Sequence, residues 1–245
     1  GVVGWNRLAG AKVPITIPLL DNTASMMAGL RRYYRRLGRD DIKVVAIAGD
    51  GATADAGFQA LSGAAERGEN IIYICYDNEG YMNTGFQRSG TSTKGSYTST
   101  TPVGSVRKGK LEHKKDVPML MAMHNVAYAA TISPAYTKDF VSKLVKASSI
   151  KEGFVYLHIL APCPTGWRFP PEDTIGIARL AVQTNFFPLW EFENGQFRKS
   201  IEVKKAKPFR ELASKIGKFS HLSEAQIEDI QEWIDWKTGI LDRLC

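Results

Sequence analysis

Short apolar runs recur along this chain, each followed by a glycine-rich turn and then by a segment with helical spacing. Lys43 to Ala48 (KVVAIA) and Ile71 to Tyr76 (IIYICY) are continuously apolar and rich in β-branched residues, the pattern of strands buried on both faces of a parallel sheet. Ala127 to Thr131 and Phe154 to Leu160 read the same way. Between them the period lengthens. Helices are predicted over Asn22 to Leu37, with Asp21 or Asn22 as cap and Gly38 as stop, and over Asp55 to Arg67, ended by Gly68. Further helices are predicted over Asp116 to His124, Thr137 to Ala147 and Thr174 to Gln183. Phe187–Phe192 and Gln196–Val203 flank Asn194-Gly195, a hairpin signal. Past Pro208 the chain turns to charged helix, with Ser223-x-x-Gln226 as a capping box.

Strand, turn, helix and strand in this order make the strands parallel by crossover geometry. The expected fold class is therefore α/β, an open, mainly parallel sheet with helices on both faces. It is expected to occupy residues 1–205, with a helical extension over 206–245. No internal repeat is present. Residues 78 to 115 interrupt the alternation with a Gly-, Ser- and Thr-rich stretch of almost no apolar periodicity. Such a length without regular structure is expected to be a functional loop or disordered.

Composition narrows the classes. With 44% apolar and 23% charged residues in 245, this is the make-up of an ordinary soluble globular protein, and no run approaches the ~20 apolar residues of a membrane span. Three cysteines in unrelated settings argue against a disulfide framework and for a reducing, cytoplasmic compartment. The net charge of +7 points to acidic partners or phosphorylated ligands. Its basic residues are scattered and accompany no recognition motif, so no nucleic-acid partner is expected. Gly1-Val2-Val3-Gly4-Trp5 lacks a basic region followed by an apolar stretch, and is not read as a secretory leader. The abrupt start without methionine is read as a missing amino-terminal portion.

Chemistry concentrates at two turns. Gly49-Asp50-Gly51-Ala52 ends one predicted parallel strand and opens a helix, the place where open α/β sheets bind ligands. Glycines let backbone amides approach a phosphate, and the helix N-terminus favours its charge. Asp50 would repel a phosphate unless a hard divalent cation sat between them. The alternative is an ordinary turn with an aspartate N-cap. The second turn, Asp77-Asn78-Glu79-Gly80-Tyr81-Met82-Asn83, ends the next parallel strand and so falls beside the first. Mg²⁺ takes six oxygens. Asp50, the Asn78 side-chain carbonyl, a backbone carbonyl near Gly80, two diphosphate oxygens and a water would supply them. Turn-forming asparagine is the plain alternative.

A GDG turn followed at this interval by an asparagine resembles the diphosphate motif of thiamine-diphosphate enzymes. YDNEGYMNTGFQRSG, KKDVPMLMAMH, LAPCPTGW and TIGIARLAVQTNFFPLWE resemble, more narrowly, the β subunit of pyruvate:ferredoxin oxidoreductase and its 2-oxoacid relatives. The resemblance covers nearly the whole chain and implies a thiamine-diphosphate-binding fold. It further implies that Gly49, Asp50, Gly51, Ala52, Asn78, Glu79, Gly80, Tyr81, Met82 and Asn83 contact cofactor, that Asp50, Asn78 and Gly80 hold Mg²⁺, and that Asn83 also meets substrate. The implied reaction is oxidative decarboxylation of a 2-oxoacid, pyruvate by default, with coenzyme A as acyl acceptor and ferredoxin as electron acceptor. Oxalate, 2-oxoglutarate and branched-chain oxidoreductases, or a non-redox thiamine-diphosphate decarboxylase, are the alternatives.

By the same resemblance, Cys163 is the last thiolate of a 4Fe-4S cluster, held in the stiff Pro162-Cys163-Pro164 setting. The other three ligands would lie upstream of Gly1, because neither Cys75 nor Cys245 has a suitable context. The activating glutamate lies on a partner subunit, so α-, γ- and δ-type partners are expected and no general acid or base is assigned here. His113, His124, His158 and His221 show no metal-ligand spacing and are read as structural.

Overall fold

The computed structural model describes residue 10 and residues 12–245; Gly1–Trp5, read above as no secretory leader, lies outside the described residues. In chain order the elements are α1 (Thr23–Arg36), β1 (Val45–Gly49), a π-helical turn (Gly51–Ala56), α2 (Phe58–Glu66), β2 (Ile72–Asp77), α3 (Val117–Met123), β3 (Tyr128–Ile132) and α4 (Thr137–Ser149). There follow β4 (Val155–Leu160), the short α5 (Pro164–Trp167), α6 (Thr174–Gln183), β5 (Trp190–Glu193), β6 (Gln196–Lys199), α7 (Phe209–Ala213) and α8 (Glu224–Leu244).

One six-stranded sheet runs in the order β1-β2-β4-β3-β5-β6. The first four strands are mutually parallel, and the β5–β6 hairpin is added antiparallel to β3. All five residues of β3 are buried, as expected of a strand covered on both faces. Helices α1, α2 and α3 pack on one face through Met27, Leu61 and Met121, against Ala46, Tyr73 and Tyr156 of the sheet. On the other face α4 places Phe140, Leu144 and Ala147 against Tyr128, Ile132 and Leu157. A third apolar cluster joins Trp167, α6, α7 and the middle of α8 through Ile177, Phe209, Ile230 and Ile234. The segment after residue 205 therefore packs beside the carboxyl ends of the parallel strands.

Four local expectations change. Strand β1, expected to be buried on both faces, is covered on one only, with Val45 and Ile47 exposed on the other. The helix predicted from Asp55 begins earlier, as the π-helical turn directly after Asp50, and becomes α-helical only at Phe58. The second hairpin arm stops at Lys199 rather than Val203. Cys163 keeps the expected extended backbone, but it caps a short helix that the sequence pattern did not announce. The Ser223–Gln226 capping box is present, both reciprocal bonds included.

Candidate cofactor site

Parallel register sets the site. Gly49 pairs with Tyr76, and Asp77 pairs with Leu160, so the chains leaving β1, β2 and β4 emerge side by side at one edge. They carry Asp50, Asn78 and Cys163 respectively.

Asp50 is 1% exposed. Its carboxylate accepts hydrogen bonds from Ser89 Oγ at 2.5 Å and Thr91 Oγ1 at 3.0 Å. Thr91 Oγ1 is also 2.8 Å from Asp77, which accepts from the Glu79 amide at 2.8 Å and faces His158 Nε2 at 3.0 Å. Burial, reinforced by the Asp77 charge, pushes the Asp50 carboxyl well above its ordinary range. The Asn78 side-chain amide lies 2.7 Å from the Gly80 carbonyl oxygen and 3.0 Å from Asp50 Oδ1, and with its nitrogen on that side it donates to both. Turned over, the amide would bring its own oxygen beside the other two, an all-oxygen set of the kind a hard divalent cation takes.

The glycines have steric reasons to be glycines. A Cβ on Gly51 would run into the Tyr81 ring, and one on Gly80 would meet the Phe86 ring at 2.8 Å. Tyr81 spans the two turns, its hydroxyl donating to the Gly51 carbonyl at 3.0 Å. Ala52 is buried in the π-helical turn, whose first amides project from the end of β1. A π-type turn at a strand end is itself a common mark of a functional position.

Glu79 does something other than face the site. It has φ +61°, and its carboxylate is buried against Lys218 at 2.5 Å, Lys114 at 3.1 Å and the Thr93 hydroxyl. Burial alone would raise its pKa, but the two ammonium groups outweigh that and hold it below the usual carboxylate range. Its backbone N–H and carbonyl are bonded to Asp77 and Ser92, so this residue braces the turn from behind. Lys218, 0% exposed, also lies over the Trp167 ring at 3.7 Å, and the Trp167 indole donates to the backbone carbonyl of Asn78 at 2.7 Å. Asn83 is exposed, with Met82 half-buried beside it.

Cys163 borders a cavity of ≈ 330 Å³ lined also by Met82, Phe86, Tyr97, Thr165 and Arg168. Its Sγ accepts from the Gly166 amide at 3.4 Å. Cys75 lies inside β2 and Cys245 at the far end of α8, and all three thiols are free. Among the described residues, no group of three or more His, Cys, Asp or Glu is arranged to hold a metal ion. The described residues thus offer one thiolate beside the cavity and do not complete a four-iron site. The histidines are all in structural contacts: His158 between Asp77 and Tyr156, His113 stacked on Trp233, His124 on Ser62 and Leu120, His221 on the Gly95 carbonyl.

Ser89, Thr91, Lys114, Trp167 and Lys218 escaped the sequence reading. The hydroxyls were visible only as a Ser/Thr-rich loop, and nothing local marks a lysine 139 residues from its Glu79 partner.

Comparison with known proteins agrees with this geometry. The family model described as thiamine pyrophosphate enzyme, C-terminal TPP binding domain, matches residues 22–159. The β subunit of NADH-dependent phenylglyoxylate dehydrogenase from Aromatoleum evansii is 46% identical over 100% of this chain, which spans 55% of that protein's length. Pyruvate synthase subunit PorB of Methanothermobacter thermautotrophicus is 46% identical over 91% of the chain and 77% of its own length. Ketoisovalerate oxidoreductase subunit VorB of Pyrococcus horikoshii is 46% identical over 86% of the chain and 69% of its own. The fold matches the 2-oxoglutarate:ferredoxin oxidoreductase of Magnetococcus marinus at a TM-score of 0.55 and 21% identity, covering 86% of this chain and 73% of that one. The chain belongs to the family of thiamine-pyrophosphate-binding β subunits of the 2-oxoacid:ferredoxin oxidoreductases.

Proposed function

We propose that this chain holds thiamine diphosphate and Mg²⁺ for a 2-oxoacid oxidoreductase, with pyruvate the first substrate to test. The observation that carries the reading is the convergence of the Asp50 carboxylate, the Asn78 side-chain amide and the Gly80 carbonyl at the ends of β1 and β2. A divalent ion there would offset the buried Asp50 charge and draw the Asn78 amide round so that its oxygen joins the other two. The amides of Gly51 and Ala52 at the start of the π-helical turn would bind a diphosphate, with Gly49 and Gly51 packed against Tyr76 and Tyr81. Tyr81 fixes the spacing of the two turns, Glu79 braces the second, Met82 lines the cavity beside Cys163, and Asn83 is exposed where substrate would approach. When bound, thiamine diphosphate supplies a carbon nucleophile and an electron sink for cleaving the bond between the 2-oxo carbon and its carboxylate.

The chain's own residues bind, orient and shield; none is assigned as general acid or base, and that role falls to partner subunits. Cys163 is assigned as one ligand of a 4Fe-4S cluster whose other thiolates come from outside the described residues. Coenzyme A and ferredoxin are the proposed acyl and electron acceptors, and the +7 net charge suits both. The match of the whole chain to 55% of a phenylglyoxylate dehydrogenase subunit keeps an aromatic 2-oxoacid and a nicotinamide acceptor as a second reading.

The test is the assembled multi-subunit enzyme, assayed for viologen, ferredoxin and NAD⁺ reduction. Pyruvate, 2-oxoisovalerate, 2-oxoglutarate, oxalate and phenylglyoxylate are each supplied with and without coenzyme A. Activity with one of them that disappears on removing Mg²⁺ and thiamine diphosphate is expected. Inactivity on every 2-oxoacid despite bound cofactor would refute the redox reading.

A further inference from the structure

Lys110 is 2% exposed, and among the described residues no carboxylate lies within ion-pair distance of its ammonium. Its Nζ instead donates to backbone carbonyls, Ser92 at 2.7 Å, Gly90 at 3.4 Å and His113 at 3.5 Å. Burying a charge on carbonyls alone is costly, and a lysine in such a place usually marks an ordering role.

What it orders is the segment that grips both turns. Ser89 donates to Asp50, and the Thr91 hydroxyl lies between the two aspartates, 3.0 Å from Asp50 and 2.8 Å from Asp77, sharing its one proton between them. Ser92 donates to the Glu79 carbonyl at 2.7 Å, and the Gly90 amide donates to Asp55 at 2.8 Å. The two carbonyls nearest Lys110 therefore flank Thr91, the hydroxyl shared by the two buried aspartates. We propose that Lys110 is a positioning residue for the cofactor turns, its ammonium fixing the Gly90–Ser92 backbone so that the Ser89, Thr91 and Ser92 hydroxyls stay aimed at Asp50, Asp77 and Glu79. The inference rests on reading these turns as the cofactor site.

The charge state of Lys110 is adjustable near neutrality. Burial pulls it down to about 8, Arg88 pushes it the same way, Glu79 and Glu112 oppose, and Lys114 lowers it slightly. The other charges around the segment are paired among themselves: Arg88 with Glu112, Lys114 and Lys218 with Glu79, Lys115 with Asp55, and Lys94 with Asp229. Above pH 8 the neutral amine has one N–H fewer and is a weaker donor, so the grip on the carbonyls loosens. The sign for global stability is opposite. The folded-state pKa lies below the unfolded value of about 10.4, so between those values this group makes the fold more stable as pH rises. A fall in cofactor affinity across that window is then not unfolding driven by this lysine.

The experiment measures the dissociation constant of thiamine diphosphate at saturating Mg²⁺ on the assembled enzyme, from pH 6.5 to 10, for wild type, Lys110→Arg and Lys110→Met. Wild type is expected to lose affinity about tenfold with a midpoint near 8. Lys110→Arg should hold its affinity across the range, and Lys110→Met should be about tenfold weaker and flat. Coincident wild-type and arginine profiles, or a methionine variant that binds as wild type does at neutral pH, would overturn the proposal. Amide hydrogen exchange on the same proteins is the second readout, and it does not depend on cofactor binding. Loss of protection at residues 89–93 in Lys110→Met, with β2 unchanged, supports positioning; equal loss in both shows a general stability role and overturns it. If wild type binds no thiamine diphosphate at any pH, the cofactor reading has failed, and the exchange result alone decides the role of Lys110.

Discussion

Strands β2 to β4 and the stretch 89–98 of the loop are both largely buried, but by opposite means. The strands are covered by Leu61 and Met121 on one face and by Phe140 and Leu144 on the other, and the hydrogen bonds there are the ladder's own. The loop buries Ser89, Thr91, Ser92, Thr93, Ser96 and Thr98 instead, and has only isolated bridges for regular structure. Its order comes from hydroxyls bonded to carboxylates and carbonyls, and from buried lysines at 110, 114 and 218. Apolar burial is non-directional, so the sheet tolerates repacking. A hydrogen-bonded network depends on each member, because a buried polar atom left alone costs the full desolvation penalty. Changes in the sheet should therefore move stability, and changes in the loop and turns should move cofactor affinity.

The largest separation is expected at Asp50. Asp50→Asn keeps the shape but removes the charge from the cluster of Asp50, Asn78 and Gly80, and Mg²⁺-dependent thiamine diphosphate affinity should fall by about 100-fold or more. Melting temperature without cofactor should hold or rise, because a buried carboxylate beside Asp77 is a burden on the fold. Calorimetric titration beside thermal melting reads both. A large drop in melting temperature at unchanged affinity would invert the comparison.

Leu61→Ala is the opposite probe. Leu61 is fully buried between α2 and the sheet, and its truncation should cost about 2–5 kcal/mol of global stability. Denaturant midpoints should shift accordingly, while affinity below the transition stays near wild type. Weakened binding in proportion to lost stability would show that sheet and site are one cooperative unit.

How much of this was legible follows the same division. IIYICY announces β2 within one residue, because a strand buried on both faces needs only an unbroken apolar run. Asp50 and Asn78 could be placed side by side from spacing alone, because one helix and one strand return the chain to the same sheet edge. The loop was visible as an interruption and no more. Serine and threonine there carry no period, and whether their hydroxyls meet water or a buried aspartate is decided by chain crossings far away in sequence. Glu79 shows the limit most sharply. It sits among candidate cofactor contacts, but Lys114 and Lys218 claim its carboxylate, and neither distance is written in any local pattern.

Thr91→Val narrows the test to one hydroxyl at constant shape. It removes the hydroxyl shared by Asp50 and Asp77 while Ser89 still serves Asp50 and the Glu79 amide still serves Asp77, so the cost is that of one hydrogen bond to a charged group, about 1.5–3 kcal/mol. That cost should fall mostly on the loop and turns, as roughly tenfold weaker cofactor binding and faster amide exchange at residues 89–93 than in β2. Uniform loss of protection would place Thr91 in the general fold instead.

The smallest expected effect lies where the two regions touch. Trp167 belongs to the apolar cluster of α6, α7 and α8, yet its indole N–H donates to the Asn78 carbonyl and its ring carries Lys218. Trp167→Phe keeps an aromatic ring in that cluster and deletes the donor, so packing losses stay small while the Asn78 backbone carbonyl loses its side-chain partner. A net hydrogen bond of about 0.5–1.5 kcal/mol corresponds to roughly a three- to tenfold loss of cofactor affinity, if the bond serves only to hold the second turn. Melting temperature would then shift little. If melting temperature falls and affinity does not, the indole supports the carboxyl-terminal helices instead, and the boundary between the two kinds of burial runs between Trp167 and Asn78.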